Sequence, residues 1–589
     1  MNRQRARRAS RWLCLTAFVL LAWGTGQALP GDGWTPGRDL FVRLDPAVAL
    51  AASVAGRAFI AAAVPGLVVL ASAMLFGRAF CGWVCPFGAM VDAGDAAWNR
   101  LMKARRRPAR RRQDARRRAV PRMLKYGVLA AVLAAALAGL DLVFWAAPLP
   151  LAARFWALAA WPPLARLAEW GLALLAPLAR QTGATGLSFA EIAVPGYAAT
   201  GYVIGFLALV LAGGLLAPRL WCRMLCPAGA ALGLAGRMAP WRRRVVAYGA
   251  SGACTACGAC ALHCPAGAIA ADAPLATDHA ECLKCLRCAD VCPVGAVRFA
   301  FRESAGTDAA TAASQSTPVT TPGALPPHAR SQRRALLAGL AVGTCAAALG
   351  HAAPALGRPE GVLRPPGALP EPEFLARCVR CGLCAAACPT NTLQPAWLAS
   401  GALGMFSPVV TPARGFCDPA CHACAQGCPT TAIRGLAHER TFAKIGTAEV
   451  LRDHCLAWAK KKRCLVCDEV CPYDAIALKP EPGYTVGVPH VDPARCAGCG
   501  FCEKHCPETV LASGEKAIVI RPRDALRIAT GSMRAAAEAR GLRLVFTPKK
   551  PGEGYGTEGA PPTGSDAQDP SPGADTGPAP GGLPPGFTE

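Results

Sequence analysis

The chain has 589 residues, 53% hydrophobic and 17% charged, with a formal net charge of +25, a mean hydropathy of +0.28 and 30 cysteines. That length allows several domains, the apolar fraction points to membrane spans, and basic charge beside apolar runs marks cytoplasmic loops rather than a nucleic-acid partner. A secreted disulfide scaffold is excluded because nearly every cysteine sits in a ligand-type cluster.

Residues 1–11 are strongly basic and precede an apolar run over 12–29, which reads as a first span with its N-terminus inside rather than a cleaved signal peptide. Further spans are expected over 59–76, 124–145 and 197–216, each near the length a bilayer requires. The arginine-dense segment 100–125 and the basic residues from Arg219 to Arg244 place two loops inside, so residues 1–245 read as a four-helix transmembrane module. Residues 151–178 carry Arg154, Arg166 and Glu169 among tryptophans. Charges at bilayer depth are expensive, so an external interfacial hairpin is expected there. Asp45, Asp141 and Glu191 fall near the expected outer span ends as possible proton acceptors.

A repeat crosses this half. Cys81-Gly-Trp-Val-Cys85-Pro86 resembles Cys222-Arg-Met-Leu-Cys226-Pro227, and each copy follows the inner end of an expected span. Spacing i, i+4 puts both thiols of a copy on one helix face, and two copies could bring four sulfurs together. Two readings stand: Cys81, Cys85, Cys222 and Cys226 form a redox or metal site, or proline and glycine simply turn the chain.

Residues 246–302 hold C-x2-C-x2-C-x3-C-P twice, as Cys254, Cys257, Cys260, Cys264 and then Cys282, Cys285, Cys288, Cys292. This is the stated pattern of bacterial two-cluster ferredoxins, in which the fourth cysteine of each run ligates the other cluster. One [4Fe-4S] cubane should therefore take Cys254, Cys257, Cys260 and Cys292, and the other Cys282, Cys285, Cys288 and Cys264. Structural zinc prefers two doublets and fits less well.

An Ala/Thr/Ser/Pro-rich segment, 303–330, reads as a flexible linker. Arg333-Arg334 before a short apolar stretch makes 331–353 resemble a twin-arginine signal, or else a fifth transmembrane anchor. Residues 370–540 carry four more runs: Cys378, Cys381, Cys384, Cys388; Cys417, Cys421, Cys424, Cys428; Cys455, Cys464, Cys467, Cys471; and Cys496, Cys499, Cys502, Cys506. Proline follows every closing cysteine. The 24 cysteines of all six runs make six [4Fe-4S] clusters, with the crossover among the last four runs open between neighbouring and nested pairings. Haem attachment at Cys421-His422 is excluded because position 418 is Asp. His422, His454 and His505 read as solvated neighbours of the cysteines. Cys14 and Cys345 stand alone in apolar segments as inert core thiols. Residues 541–589 read as a disordered tail.

The fold class expected is thus a multi-domain membrane protein, a four-helix transmembrane module plus α+β bacterial-ferredoxin-like domains, one two-cluster and one four-cluster. No nucleophile–base pair, phosphate loop or dinucleotide fingerprint competes with one-electron transfer, and membrane embedding points to quinol as donor. With its repeated C-x3-C-P motif and two-cluster insert, the first half resembles the NapH-type membrane ferredoxin. The second half resembles the NapG-type and methylamine-utilisation ferredoxins. This resemblance implies a fused quinol dehydrogenase component in the bacterial inner membrane. Its first ferredoxin domain would be cytoplasmic and its four-cluster domain periplasmic, passing electrons to a periplasmic reductase, typically nitrate reductase, or to a cytochrome. The rival classes are a maturation or donor factor for another metalloenzyme and a redox sensor.

Overall fold

The computed structural model describes residues 3–26, 39–104, 123–181, 194–245, 254–269, 274–301, 327–352, 361–397, 400–510 and 514–547. The arginines from Arg105 to Arg118, Glu191, and most of the expected linker and tail lie outside them.

The apolar runs form helices that end early. Helix Val64–Phe76 has 13 residues and stops at Gly77, whose φ of 62° leaves the helical region; Leu124–Leu137 has 14 and gives way to Gly139 at φ 83°. Thr200–Ala212 has 13 and tightens into a 3-10 turn, Gly213–Leu215. At 1.5 Å per residue such helices reach about 20 Å, short of the ~30 Å of a hydrocarbon core. The longer helix Arg3–Gly26 spends its first turns on arginines, and Pro327–Ala352 likewise opens on polar residues. Among the described residues no helix is long and apolar enough to cross a membrane. The expected transmembrane module, the fifth anchor and the multi-pass inner-membrane placement are therefore overturned, and the inside/outside assignment of the two ferredoxin parts falls with them. The mean hydropathy instead reflects apolar surface as well as core: Leu13, Phe59, Leu137, Leu174 and Leu209 all stand more than half exposed.

The expected hairpin over 151–178 is also corrected. The backbone runs on as helix from Pro148–Phe155 through a π turn, Trp156–Ala160, into Trp161–Gln181. Its Pro162 and Pro163 fall in the first turn of the last segment, where missing N–H groups cost little.

The cysteine runs fold as three similar units, each closed by its ends. Strands β1 (Arg242–Val245) and β2 (Val297–Ala300) pair antiparallel around the first two runs. The next two runs enclose the hairpin β3 (Leu393–Pro395) with β4 (Pro408–Val410), and a lone bridge from Ala368 to Ile433 closes their ends. Strand β5 (Thr447–Val450) pairs with β8 (Ile518–Arg521) around the last two runs, with β6 (Ile476–Lys479) and β7 (Val488–Val491) as the inner hairpin. The fold is thus mixed helical and sheet, with ferredoxin-like units.

Residues Met1–Thr547 form one unit. One apolar cluster joins Cys85 and Cys226 from the first half to Val379, Cys381 and Leu383 from the second. Helix Pro327–Ala352 lies against Leu124–Leu137 so closely that a Cβ on Gly339 would come within 2.1 Å of the Gly127 carbonyl oxygen.

Candidate iron–sulfur sites

Each run delivers its thiols from a tight loop. A left-handed residue stands directly before the second cysteine in four of the runs: Ala256, Lys284, Arg380 and Gly498. They curl the loop so that successive sulfurs face one point. After the closing Cys-Pro comes a second left-handed residue, Gly267, Gly295, Asn391, Thr431 or Asp474. That turn aims backbone N–H groups at the closing sulfur: Ala268 donates to Cys264 Sγ at 3.3 Å, Ile433 to Cys428 at 3.5 Å and Ala475 to Cys471 at 3.3 Å.

The thiols gather around cavities of similar size. Cys264 lines one of about 20 Å³ with Cys282, Cys285 and Cys288. Cys388 lines another, about 20 Å³, with Cys417, Cys421 and Cys424. Cys506 joins Cys455, Cys464 and Cys467 around a third of about 30 Å³. Reciprocally, Cys428 faces Cys378, Cys381 and Cys384, and Cys471 faces Cys496, Cys499 and Cys502. In each pair the fourth cysteine of one run meets the first three of its neighbour, and the nested alternative is not the arrangement seen. Cys254 lies near Cys260.

The electrostatics suit a cationic core. Burial pushes the Cys378 thiol up to about 11, with Cys428 adding repulsion against the relief from Arg380, and pushes Cys417 up to about 11 against the pull of Arg440. Iron would reverse this cost by holding the sulfurs as thiolates. Guanidinium donors already point at two of them: Arg440 Nη2 lies 2.9 Å from Cys417 Sγ and Arg243 Nη2 3.4 Å from Cys260 Sγ. Among the described residues there is no disulfide, and no group of three or more His, Cys, Asp or Glu closes on a single ion.

Relatives bear on this geometry. A 4Fe-4S binding domain family matches residues 49–105 and 198–246, a 4Fe-4S dicluster domain matches 462–510, and another 4Fe-4S binding domain matches 375–394. The methylamine utilization ferredoxin-type protein MauM of Methylophilus methylotrophus is 43% identical over 176 residues, 28% of this chain and 74% of that protein. The chain belongs to the MauM/NapG family of ferredoxin-type proteins. The family's NapG of Escherichia coli K12 is 39% identical over 160 residues, 25% of this chain and 68% of NapG. The ferredoxin-type protein NapH of Haemophilus influenzae is 29% identical over 181 residues, 31% of this chain and 46% of NapH. No solved structure matches the chain. It is, then, a ferredoxin-type electron-transfer protein with 4Fe-4S domains.

Other expected site residues fall as follows. His422 Nε2 and His505 Nδ1 make local contacts at 2.9 Å, with Gln426 and the Phe501 carbonyl. Cys345 is exposed, so it is no core thiol, and Cys14 is half-buried. Asp45 and Asp141 are buried rather than interfacial: Asp45 accepts from Ala47 and Val48 N–H at a helix start, and Asp141 from Val143 N–H.

Sequence reasoning missed an aromatic cavity of about 360 Å³ between the halves. Trp145, Arg154, Tyr202 and Phe206 come from the first half, and Trp397 and Phe406 from the second. Tyr202 stacks on Trp397 at 4.0 Å, and the Arg154 guanidinium lies 4.6 Å over Phe406. Arg154 also donates to the Arg380 carbonyl at 2.9 Å, and Arg380 stands between Cys378 and Cys381. Its lining is split over more than 250 positions, so no local pattern could have announced it.

Proposed function

We propose that the chain is a fused NapH-like and NapG-like electron carrier that oxidises a quinol in the aromatic cavity and passes the electrons to a partner reductase. The carrying observation is the cavity itself. Its walls are aromatic, its size falls within the ~300–1,000 Å³ of small-molecule sites, and Arg154 ties it to the loop of Cys378 and Cys381. Six [4Fe-4S] clusters on the 24 run cysteines would supply one-electron acceptors, so the two electrons of quinol leave one at a time while two protons go to solvent.

The residues have separable tasks in this reading. Tyr202 and Trp397, already stacked on each other, and Phe406, edge-on to Trp397, form an aromatic wall against which a planar ring can pack. Arg154, fixed by the Arg380 and Phe144 carbonyls at 2.9 and 3.2 Å, offers fixed positive charge to a ring oxygen. The acceptor is a nitrate-reductase-type enzyme or, since MauM shows the higher identity of 43% against 39% for NapG, a partner in methylamine utilisation.

The test is anaerobic stopped-flow on full-length protein mixed with a reduced short-chain quinol. Prompt bleaching of cluster absorbance is expected, slowed at least tenfold by Trp397→Ala. Protein that dithionite bleaches but quinol does not would remove the donor assignment.

A further inference from the structure

The two C-x3-C-P copies are the feature that the six-cluster reading leaves unused. Each segment matched by the first 4Fe-4S family, 49–105 and 198–246, contributes only two cysteines. In the fold, all four meet. Cys81, Cys85, Cys222 and Cys226 line one cavity of about 20 Å³, matching the 20 to 30 Å³ of the cavities lined by the run cysteines.

The surroundings are built twice, as a local two-fold. Cys81 rides on the short helix Ala79–Trp83 and Cys222 on Leu220–Met224. Cys85 and Cys226 then stand at the starts of Pro86–Ala104 and Pro227–Ala235, each sulfur accepting from the glycine three residues on: Gly88 N at 3.4 Å and Gly229 N at 3.2 Å. Arg78 and Arg219 occupy matching places, three residues before Cys81 and Cys222. Each reaches across to the other copy: Arg78 donates to the Cys222 carbonyl at 3.4 Å and Arg219 to the Cys81 carbonyl at 3.3 Å. Both guanidinium groups are buried, at 2% and 1% exposure.

A turn that merely redirects the chain needs none of this. Two buried and two half-buried thiols, sulfur-directed N–H groups, two helix starts and two buried arginines suit a centre that is anionic overall, since four thiolates outweigh the charge of a cubane core. A single ion is disfavoured, because no three such ligands close on one point among the described residues.

We propose that Cys81, Cys85, Cys222 and Cys226 together hold a seventh [4Fe-4S] cluster, shared between the two repeat copies. Its position makes it a relay. Phe87 lines both this cavity and the aromatic one. On the other side, Trp83 Nε1 donates to the Lys284 carbonyl at 3.0 Å, and Arg78 pairs with Glu281 at 2.8 Å, directly before Cys282. The cluster would accept one electron from a reduced neighbour and release it to the next oxidised one, with no bond made or broken. This assignment holds whatever the donor is.

The test is native mass spectrometry with iron and acid-labile sulfide analysis on anaerobically purified full-length protein. Wild type should carry seven clusters, about 28 irons, and the Cys85→Ser/Cys226→Ser double variant about 24 with the remaining clusters intact. Should the variant fail to fold, the wild-type mass alone decides. Six clusters with the four motif thiols open to alkylation in the folded holoprotein would overturn the proposal. So would a disulfide between the copies, or one zinc in their place.

Discussion

Replacing Glu281 by Gln removes the one carboxylate between two buried cations. Its side chain is 1% exposed and pairs with Arg78 at 2.8 Å and with Lys125, while Tyr126 Oη donates to it at 3.1 Å. Burial alone would raise this carboxyl, but Arg78 and Lys125 outweigh it and hold the group below its ordinary 4.5. Its stabilisation is thus present above pH 4.5 and is lost as pH falls through the folded value. The Gln variant keeps shape but leaves Arg78 and Lys125 facing each other. Breaking a buried pair from one side costs about 3–5 kcal/mol, more than a hundredfold in an unfolding equilibrium. Lys125, which burial already lowers to about 8, can shed its proton; Arg78 cannot. Adding Arg78→Met should therefore recover about half of the loss. The assay is urea-induced bleaching of cluster absorbance at pH 7 under anaerobic conditions, run as a double-mutant cycle. A single-variant loss below about 1 kcal/mol, or a double variant no better than the single, would show that the pair does not fasten the 254–293 loops to the rest of the chain.

Burial lifts Asp141 to about 7 against the pull of Arg380, so the folded chain favours its neutral form and loses about 4 kcal/mol as pH rises from 4 through 7. Asp141→Asn should abolish that slope in pH-dependent unfolding and gain stability at pH 8; an unchanged slope refutes the assignment. Gly339→Leu forces a side chain onto the Gly127 carbonyl, 2.1 Å from the first added carbon, and should lower the thermal bleaching midpoint by the equivalent of about 1–3 kcal/mol or more. Cys506→Ser should remove the same EPR signal as Cys464→Ser, and Cys471→Ser the same as Cys499→Ser; a Cys506→Ser loss that matches Cys499→Ser instead would break the neighbour pairing.

The thiol runs were legible because cluster chemistry constrains spacing itself: three sulfurs from one loop leave little freedom in the sequence. The left-handed residue three places after the closing cysteine was available too, in Gly267, Gly295 and Asn391, and would have marked each unit's turn. Helix length was not legible. Hydropathy counts the run over 59–76 as continuous, but the helix begins only at Val64 and ends at Phe76. The aromatic cavity and the meeting of Cys85 with Cys226 depend on packing between distant segments, which neither periodicity nor spacing encodes.

Packing between the halves also says what the covalent link contributes. Arg154 bonds the Arg380 carbonyl at 2.9 Å, Arg380 returns a bond to the Asp141 carbonyl at 2.9 Å, and Tyr197 Oη reaches the Ala385 carbonyl at 3.2 Å. Gln394 and Arg414 both donate to the Gly196 carbonyl, at 3.1 and 3.2 Å. Helix Pro327–Ala352 adds its glycine face against Leu124–Leu137. An interface with this many hydrogen bonds between the halves and a shared apolar cluster should hold without a tether, whose gain is an effective concentration on the order of millimolar. Coexpressing residues 1–310 and 311–589 as separate chains should therefore give one complex that copurifies at micromolar concentration and bleaches with the wild-type amplitude. Arg380→Ala in the second chain, which removes the bond to Asp141 and the stacking 3.7 Å over Phe144, should weaken copurification at least tenfold. Two chains that separate on gel filtration while each retains its clusters would mean that the link, not the packing, keeps the halves in register.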